Sequence, residues 1–187
     1  MRVIAGKYRS RRLKGPGKLR LRPTSDPLRE TLFNVLGPSV ADSLFVDLYA
    51  GTGAIGIEAI SRGAREVVFV ESHAPEARLV RANIESLGIH TGAELIEADA
   101  VTGLDKLAKR RLVADFIFLD PPYEDAEEHL RVLEFLDESH LLAPRGLVIV
   151  EHRRHMELPD RFDRIELTRL LEQGDAALSF FRLAAAA

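Results

Sequence analysis

Strand-like and helix-like segments alternate along most of this 187-residue chain. Short apolar runs, typical of buried strands, recur between segments whose apolar residues have helical spacing. Parallel strands need a long crossover connection, usually a helix, so the alternation predicts a doubly wound α/β sheet. The predicted strands are Leu44–Tyr49, Glu66–Glu71, Ala93–Glu97, Val113–Leu119 and Leu147–Glu151. The helices between them are predicted to start near Ala54, Pro75, Val101 and Asp125.

The two ends of the chain depart from this alternation. Near the C-terminus, the strand-like runs Arg164–Leu171 and Ala177–Leu183 flank Glu172-Gln173-Gly174-Asp175, which predicts an antiparallel hairpin at one edge of a seven-stranded sheet. Before the first strand, Asp26 is a fair N-cap with Pro27 at the first helical position, and Gly37-Pro38 stops the helix.

Size and composition exclude several classes of protein. The chain is long enough for one sizeable core and short for two. It has no cysteine, which excludes disulfides and thiolate metal sites, and its apolar runs are too short to span a membrane. The N-terminus lacks the apolar segment of a secretory signal, so we expect a cytoplasmic protein. We also expect that the protein uses no metal.

A strongly basic N-terminal segment stands against an acidic remainder. Residues 1–22 carry nine Lys or Arg and no acid, whereas the rest of the chain has 17 basic and 29 acidic residues. This asymmetry predicts a polyanionic partner bound at one end. Val3-Ile4-Ala5 and Leu19-Arg20-Leu21 are able to pair as short strands, so we expect an ordered basic extension at residues 1–22, followed by one domain at residues 23–187.

The first predicted strand runs directly into a glycine-rich turn. Gly51, Gly53 and Gly56 form the pattern G-x-G-x-x-G at a strand-to-helix turn, where glycine allows a sharp bend and close approach of a ligand. Glu71 ends the next strand 20 residues after Gly51, at the place where an acid binds ribose hydroxyls. The pattern predicts a cofactor that contains adenosine.

The acids around this turn distinguish between cofactors. Asp47 lies inside the first strand, where a carboxylate is costly to bury without a partner. A ligand with an ammonium or sulfonium group would supply that partner, whereas a pyrophosphate would be repelled. S-adenosylmethionine therefore fits better than NAD. Asp99, just after the third strand, is placed to accept a hydrogen bond from the adenine amino group.

Asp120-Pro121-Pro122-Tyr123 follows the fourth predicted strand, where ligands of open α/β sheets bind. The two prolines hold the backbone rigid and leave carbonyl groups as acceptors. The Asp120 carboxylate and the Pro121 carbonyl would bind the NH2 of a base that stacks on Tyr123. We expect this turn and the glycine turn to open onto one crevice, which the base reaches unpaired or flipped out.

These residues resemble the class I S-adenosylmethionine-dependent methyltransferases that modify exocyclic amines, whose motif is [N/D/S]-P-P-[Y/F/W]. More closely, the chain resembles the bacterial family that methylates N2 of a guanine in 16S ribosomal RNA. The resemblance spans nearly the whole chain, and it is carried by residues 4–9, 22–34, 47–53, 120–123 and 174–178. Tyr49 and Tyr123 stand where that family more often has phenylalanine.

The resemblance implies a Rossmann-like methyltransferase fold and a set of site residues. S-adenosylmethionine, which leaves as S-adenosylhomocysteine, would be bound by Thr24, Asp47, Tyr49, Gly51, Gly53, Glu71, Ser72, Asp99 and Ala100. The catalytic group would be Asp120, Pro121 and Tyr123. RNA would be contacted by Lys7, Arg9, Arg11, Arg22, Arg29 and Pro122. The expected partner is 16S rRNA in the small ribosomal subunit or in an assembly intermediate. We expect the protein to be a monomer that does not bind membranes.

Three other functions fit part of the pattern. A methyltransferase for another RNA or DNA amine would share both motifs, although no separate DNA-reading domain is visible. An NAD-dependent oxidoreductase would use the glycine turn, but the chain offers no Tyr-x-x-x-Lys pair for hydride transfer. A catalytically silent RNA-binding module would use the basic segment alone.

Overall fold

The computed structural model describes residues 1–17, 24–121 and 126–185. The chain forms two compact units, Met1–Asp99 and Ala100–Ala187. The predicted boundary between residues 22 and 23 lies outside the described residues, so the predicted division into an extension and a methyltransferase domain stays a prediction.

In its described residues, the first unit contains three α-helices, one 3-10 helix at Gly37–Val40 and three parallel strands. Helix α1 is Asp26–Leu36, α2 is Ala54–Ser61 and α3 is Ala74–Ser86, while strands β1, β2 and β3 are Leu44–Leu48, Glu66–Glu71 and Ala93–Glu97. The strands pair in parallel in the order β3-β2-β1. Every residue of β1 is buried, as expected for a strand with helices on both faces. Phe33 of α1 stacks on Phe45 of β1 with ring centroids 6.2 Å apart.

The part of the second unit that the structure describes contains two helices and four strands. Helix α4 is Ala100–Lys109 and α5 is Ala126–Glu138, and strands β4 to β7 are Ala114–Leu119, Leu142–Arg153, Ile165–Gln173 and Ala176–Leu183. Strand β4 pairs with β5 in parallel, and β7 lies between β5 and β6 with antiparallel pairing to both. The predicted C-terminal hairpin and the predicted Rossmann-like α/β class with seven strands are confirmed.

Some predicted boundaries were wrong. The N-cap of α1 is Ser25, whose hydroxyl accepts from the Leu28 N–H at 3.3 Å, and Asp26 is the first helical residue. Strand β5 begins at Leu142 rather than at Leu147. Pro144 and Gly146 lie within this strand, whose pairing with β4 shifts register between Ala114 and Phe116.

The N-terminal segment is folded against the first unit. Arg2 and Arg12 form an antiparallel bridge, and the Val3 N–H donates to the Arg11 carbonyl at 3.0 Å. Leu19–Leu21 lie outside the described residues, so their predicted pairing with Val3–Ala5 stays a prediction. Residues 1–17 are called the N-terminal extension below. Because they form a short two-stranded turn, they are not a free tail.

Gly56 allows α2 to pack closely on β2. A Cβ atom at this position would lie 2.3 Å from Cε1 of Phe69 and 2.8 Å from Cγ1 of Val67, both of them buried strand residues. The third glycine of the turn therefore serves helix–strand packing, as the G-x-G-x-x-G pattern predicts.

We expect Gly56→Ala to lower the free energy of unfolding by about 1–3 kcal/mol, because the added methyl overpacks the contact with Phe69. Gly15→Ala is the matched control, since nothing lies within 4 Å of a Cβ atom there. Urea unfolding of the two variants and the parent checks this. Equal unfolding midpoints for Gly56→Ala and the parent would contradict the packing argument.

Candidate active site

The turn between β1 and α2 is held in an unusual backbone conformation. Tyr49, Gly51 and Gly53 have φ values of 60°, 57° and 76°. The left-handed region suits glycine but is uncommon for tyrosine, so the surrounding structure must fix this bend. Gly53 is the N-cap of α2 and has no side chain to accept from the first turn of the helix. Glycine adopts the left-handed conformation at Gly51 and Gly53 without strain.

Glu71 fixes the turn from the end of β2. Its Oε2 accepts from the Gly51 N–H at 2.8 Å, and its Oε1 accepts from the His73 N–H at 2.9 Å. The side chain is buried, with 6% of its surface exposed. The predicted ribose-binding acid thus also joins the glycine turn to the segment after β2.

Asp47 is a buried acid that is hydrogen-bonded to a backbone amide. Its Oδ2 accepts from the Gly56 N–H at 2.9 Å. Burial raises the pKa of Asp47 to about 8, the hydrogen bond from Gly56 opposes the rise, and the negative charge of Glu71 adds to it. The carboxyl is therefore mostly protonated at neutral pH. A positive charge placed beside it would lower this pKa and favour the carboxylate.

The structure brings Asp47, Gly51 and Glu71 together, and it places Asp99 nearby. Asp99 is exposed and follows Ala98, whose N–H donates to the Glu71 carbonyl at 3.2 Å. The remaining predicted cofactor residues differ in exposure: Thr24 and Ala100 are buried, Tyr49 is half-buried and Ser72 is exposed. The exposed Ser72 lies beside His73, with its hydroxyl 3.1 Å from the ring Nδ1. The cofactor roles of these residues stay predictions.

The predicted amine-binding turn begins in the second unit where β4 ends. Asp120 is half-buried and Pro121 is buried, immediately after Leu119. Pro122 and Tyr123 lie outside the described residues. The expectation that this turn and the glycine turn open onto one crevice therefore stays a prediction.

The N-terminal extension presents a set of exposed cations. Lys7, Arg9 and Arg11, all predicted RNA contacts, are exposed, and so are Arg2, Arg12 and Lys14. The Arg11 guanidinium donates to the Ser86 carbonyl at 3.2 Å, and the Lys7 ammonium lies 5.2 Å from the Tyr8 ring centroid. Arg22, the remaining predicted contact of this segment, lies outside the described residues.

Arg29 does not occupy the position expected of an RNA contact. Its side chain is fully buried, and one Nη donates to the Arg2 carbonyl at 2.6 Å and to Asp26 Oδ1 at 2.9 Å. Its Nε lies 3.9 Å from Oε2 of Glu58. Arg29 is next to the buried Leu28 on α1, and in this conformation it supports the extension instead of contacting RNA.

Three buried polar residues were not predicted from the sequence as structural contacts: Glu58, Ser61 and Asn83. Glu58 is the single charged residue of α2, and a lone acid in such an apolar helix was a signal that it had a specific partner. Asn83 gave no such signal, because polar residues are ordinary on the solvent face of a helix. All three bond to the N-terminal extension.

One side-chain group in the described ranges has the spacing of metal ligands. Ligand atoms of Glu71, His73 and Glu76 lie within 4.8 Å of one another. Both oxygens of Glu71 already accept backbone hydrogen bonds, and His73 is exposed. The expectation that the protein uses no metal stays a prediction.

The family model described as Conserved hypothetical protein 95 matches residues 1–182.

The chain belongs to this family.

Several known proteins are similar to this chain over most of its length. YlbH of Bacillus subtilis strain 168 is 35% identical over 183 residues, which are 97% of this chain and 98% of YlbH. Ribosomal RNA small subunit methyltransferase D of Escherichia coli K12 is 34% identical over 161 residues, which are 85% of this chain and 78% of that protein. The solved structure of yhhF from Escherichia coli has a TM-score of 0.83 and 28% identity, and the match covers 100% of this chain and 99% of that one.

The resemblance to bacterial 16S rRNA methyltransferases is confirmed at the level of the family. The likeness to yhhF likewise confirms the fold class. Among the described residues, no helix is long and apolar enough to cross a membrane.

The pH dependence of stability tests the environment of Asp47. Because the pKa of Asp47 in the folded protein, about 8, exceeds the ordinary value of 3.8, the folded protein keeps a proton that the unfolded chain releases. The stabilisation is complete below about pH 3.8 and is lost as the pH rises towards 8. Asp47→Asn should lack this loss, so its stability relative to the parent should increase from pH 5 to pH 8.

Urea unfolding at several pH values measures this difference. Asp42→Asn is the control, because the Asp42 side chain is 86% exposed. Its pH profile should run parallel to that of the parent. A parallel profile for Asp47→Asn as well would show that the Asp47 carboxyl is already ionised in the folded protein.

Proposed function

We propose that the protein transfers a methyl group from S-adenosylmethionine to the N2 amino group of a guanine in 16S rRNA. The observation that carries the proposal is the arrangement of two buried acids, Asp47 and Glu71, around a glycine turn at the ends of β1 and β2. The Asp120-Pro121 turn after β4 and the exposed cations of the extension support it. The name of the Escherichia coli relative, Ribosomal RNA small subunit methyltransferase D, supports the same substrate class.

The residues present fit S-adenosylmethionine. Asp47 has a raised pKa and would gain from an adjacent ammonium group, either directly or through a water molecule. Glu71 oxygens, each already accepting one backbone N–H, retain capacity to accept from ribose hydroxyls. The glycine turn lets the backbone approach the ligand, and Asp99 would accept from the adenine amino group. NAD fits less well, because its pyrophosphate would lie near two acids.

When bound, S-adenosylmethionine supplies an electrophilic methyl group on a positively charged sulfur. Asp120 and Pro121 would prepare the nucleophile. An exocyclic amine is a weak nucleophile because its lone pair is delocalised into the ring. Hydrogen bonds from its NH2 to the Asp120 carboxylate and the Pro121 carbonyl would favour the tetrahedral nitrogen of the transition state. Stacking on Tyr123 would hold the base, at about 1–3 kcal/mol.

The N-terminal extension would bind the RNA backbone. Exposed Lys and Arg side chains neutralise phosphates and make binding strongly salt-dependent, but they do not select a sequence. We propose that the selected guanine is recognised in the small ribosomal subunit or an assembly intermediate. The protein would act there as a cytoplasmic monomer without a metal ion.

Asp120→Ala should reduce methyl transfer by about 100-fold or more, because the amine loses its charged acceptor. Unmodified small subunits are incubated with labelled S-adenosylmethionine, and the product nucleoside is identified by mass spectrometry. Glu134→Gln, an exposed position on α5, is the control and should keep full activity. Equal labelling by Asp120→Ala would reject the role of Asp120, and methylation of an adenine or of another guanine atom would reject the N2 assignment.

Cofactor binding should release protons near pH 7, because the ammonium group would lower the pKa of Asp47 from about 8. Titration calorimetry with S-adenosylhomocysteine in buffers of different ionisation enthalpy measures this release. Asp47→Asn should release fewer protons on binding. No difference between the parent and Asp47→Asn would place the ammonium away from Asp47, and tighter binding of NAD would favour the oxidoreductase.

A further inference from the structure

Backbone groups near the start of the N-terminal extension are hydrogen-bonded to a buried carboxylate of α2. Glu58 is fully buried, and its two oxygens accept from the Ile4 N–H at 2.7 Å and the Ala5 N–H at 3.0 Å. Arg62, one turn further along the helix, donates its Nε–H to Oε1 at 2.8 Å. The carboxylate thus satisfies two backbone groups that lie 54 and 53 residues away along the chain.

A buried guanidinium balances this carboxylate and holds the same segment. Arg29 donates to the Arg2 carbonyl at 2.6 Å, and its Nε lies 3.9 Å from Glu58 Oε2. The Nε and Nη1 atoms of Arg29 are buried without a hydrogen-bond partner. The negative charge of Glu58 therefore compensates the Nε side of the guanidinium. Loss of the Glu58 charge would leave this buried cation with Asp26, whose Oδ1 lies 2.9 Å from its Nη2, and without an acid on the Nε side.

The next residues of the extension contact the end of α2 closely. The Lys7 N–H donates to the Ser61 carbonyl at 2.7 Å, and the Tyr8 N–H donates to the Ser61 hydroxyl at 2.9 Å. A Cβ atom on Gly6 would lie only 1.8 Å from the Ser61 carbonyl oxygen. The main chain of residues 4–8 is therefore fixed to α2, while the side chains of Lys7 and Arg9 point to solvent.

A second attachment lies at the other end of the extension. The fully buried Asn83 accepts from the Lys14 N–H at 2.7 Å and donates to the Lys14 carbonyl at 3.1 Å. The same amide donates to the carbonyl of Thr52, in the glycine turn, at 2.9 Å. The exposed cations Arg9, Arg11 and Arg12 lie between these two attachments, on a backbone that is held at both ends by hydrogen bonds to buried side chains.

We propose that Glu58 is a positioning residue for RNA binding: it fixes the N-terminal extension so that its cations are pre-organised for the phosphates of the RNA. The inference rests on the proposed function, since it takes RNA as the polyanion. Fixing the segment before the encounter removes part of the ordering cost that a mobile basic tail would incur on binding. Glu58 itself does not contact the RNA, because its side chain has no exposed surface.

The test compares Glu58→Gln with the parent. Glutamine keeps the size of the side chain but presents an NH2 group to one backbone N–H and removes the charge beside Arg29. We expect the Kd for unmodified 16S rRNA to rise about 10-fold, as expected when several side chains must be ordered on binding. We also expect KM for RNA to rise with little change in kcat, an unchanged Kd for S-adenosylhomocysteine, and faster tryptic cleavage after Arg9, Arg11 and Arg12.

Two further variants make the result decisive. Ser61→Ala removes the hydroxyl that accepts from the Tyr8 N–H and donates to the Ala5 carbonyl. It keeps the Arg29–Glu58 pair, so it should shift RNA binding and cleavage in the same direction by a smaller factor. Glu85→Gln, an exposed acid on α3, is the charge-matched control and should behave as the parent. Ser61→Ala also serves as the test if Glu58→Gln does not fold.

Each outcome decides between the proposals. Faster cleavage with an unchanged Kd for RNA would overturn the positioning role, because the extension would then be released without consequence for binding. Unchanged cleavage in both variants would overturn the attachment itself. If the parent protein binds no 16S rRNA, the proposed function fails first and the inference fails with it.

Discussion

Buried carboxylates that accept backbone N–H groups determine the local structure of the first unit. Asp47 binds the Gly56 amide, Glu71 binds the amides of Gly51 and His73, and Glu58 binds those of Ile4 and Ala5. Burying an acid is costly unless it is hydrogen-bonded or paired, so each of these side chains strongly favours one position of the loop that it binds. The glycine turn and the N-terminal extension are positioned in this way.

The three acids nevertheless differ in how their charge is compensated. Glu58 has Arg62 at 2.8 Å and Arg29 at 3.9 Å, and Glu71 has two amide donors. Asp47 has an amide donor and a neighbouring negative charge, and its pKa is raised to about 8. Asp47 is the acid of the three whose pKa is raised, and it lies beside the glycine turn, so we infer a cationic ligand there. Glu58 lies beside two arginines, so we infer a structural role for it.

The local patterns of the sequence predicted the strands and the glycine turn well. Glu66–Glu71 and Ala93–Glu97 begin and end where expected, because period and composition are local properties. The acid at the end of β2 was also placed correctly. The start of β5 was missed because Pro144 and Gly146 are tolerated there by a shift of register, which depends on the neighbouring strand.

The long-range polar contacts could not be predicted from these patterns. Arg29 was expected at the RNA surface, but its burial depends on Arg2 and Glu58, which lie far from it in sequence. The attachment of Lys14 to Asn83 likewise joins residues 69 positions apart. No periodicity or turn signal reports such pairs, so the path of the extension became clear only from the structure.

A crystal structure with S-adenosylhomocysteine tests the central claim most directly. The account predicts the ligand ammonium within hydrogen-bond distance of Asp47, directly or through one water, and the ribose hydroxyls on Glu71, at about 2.7–3.2 Å. A ligand bound with neither acid in contact would contradict it.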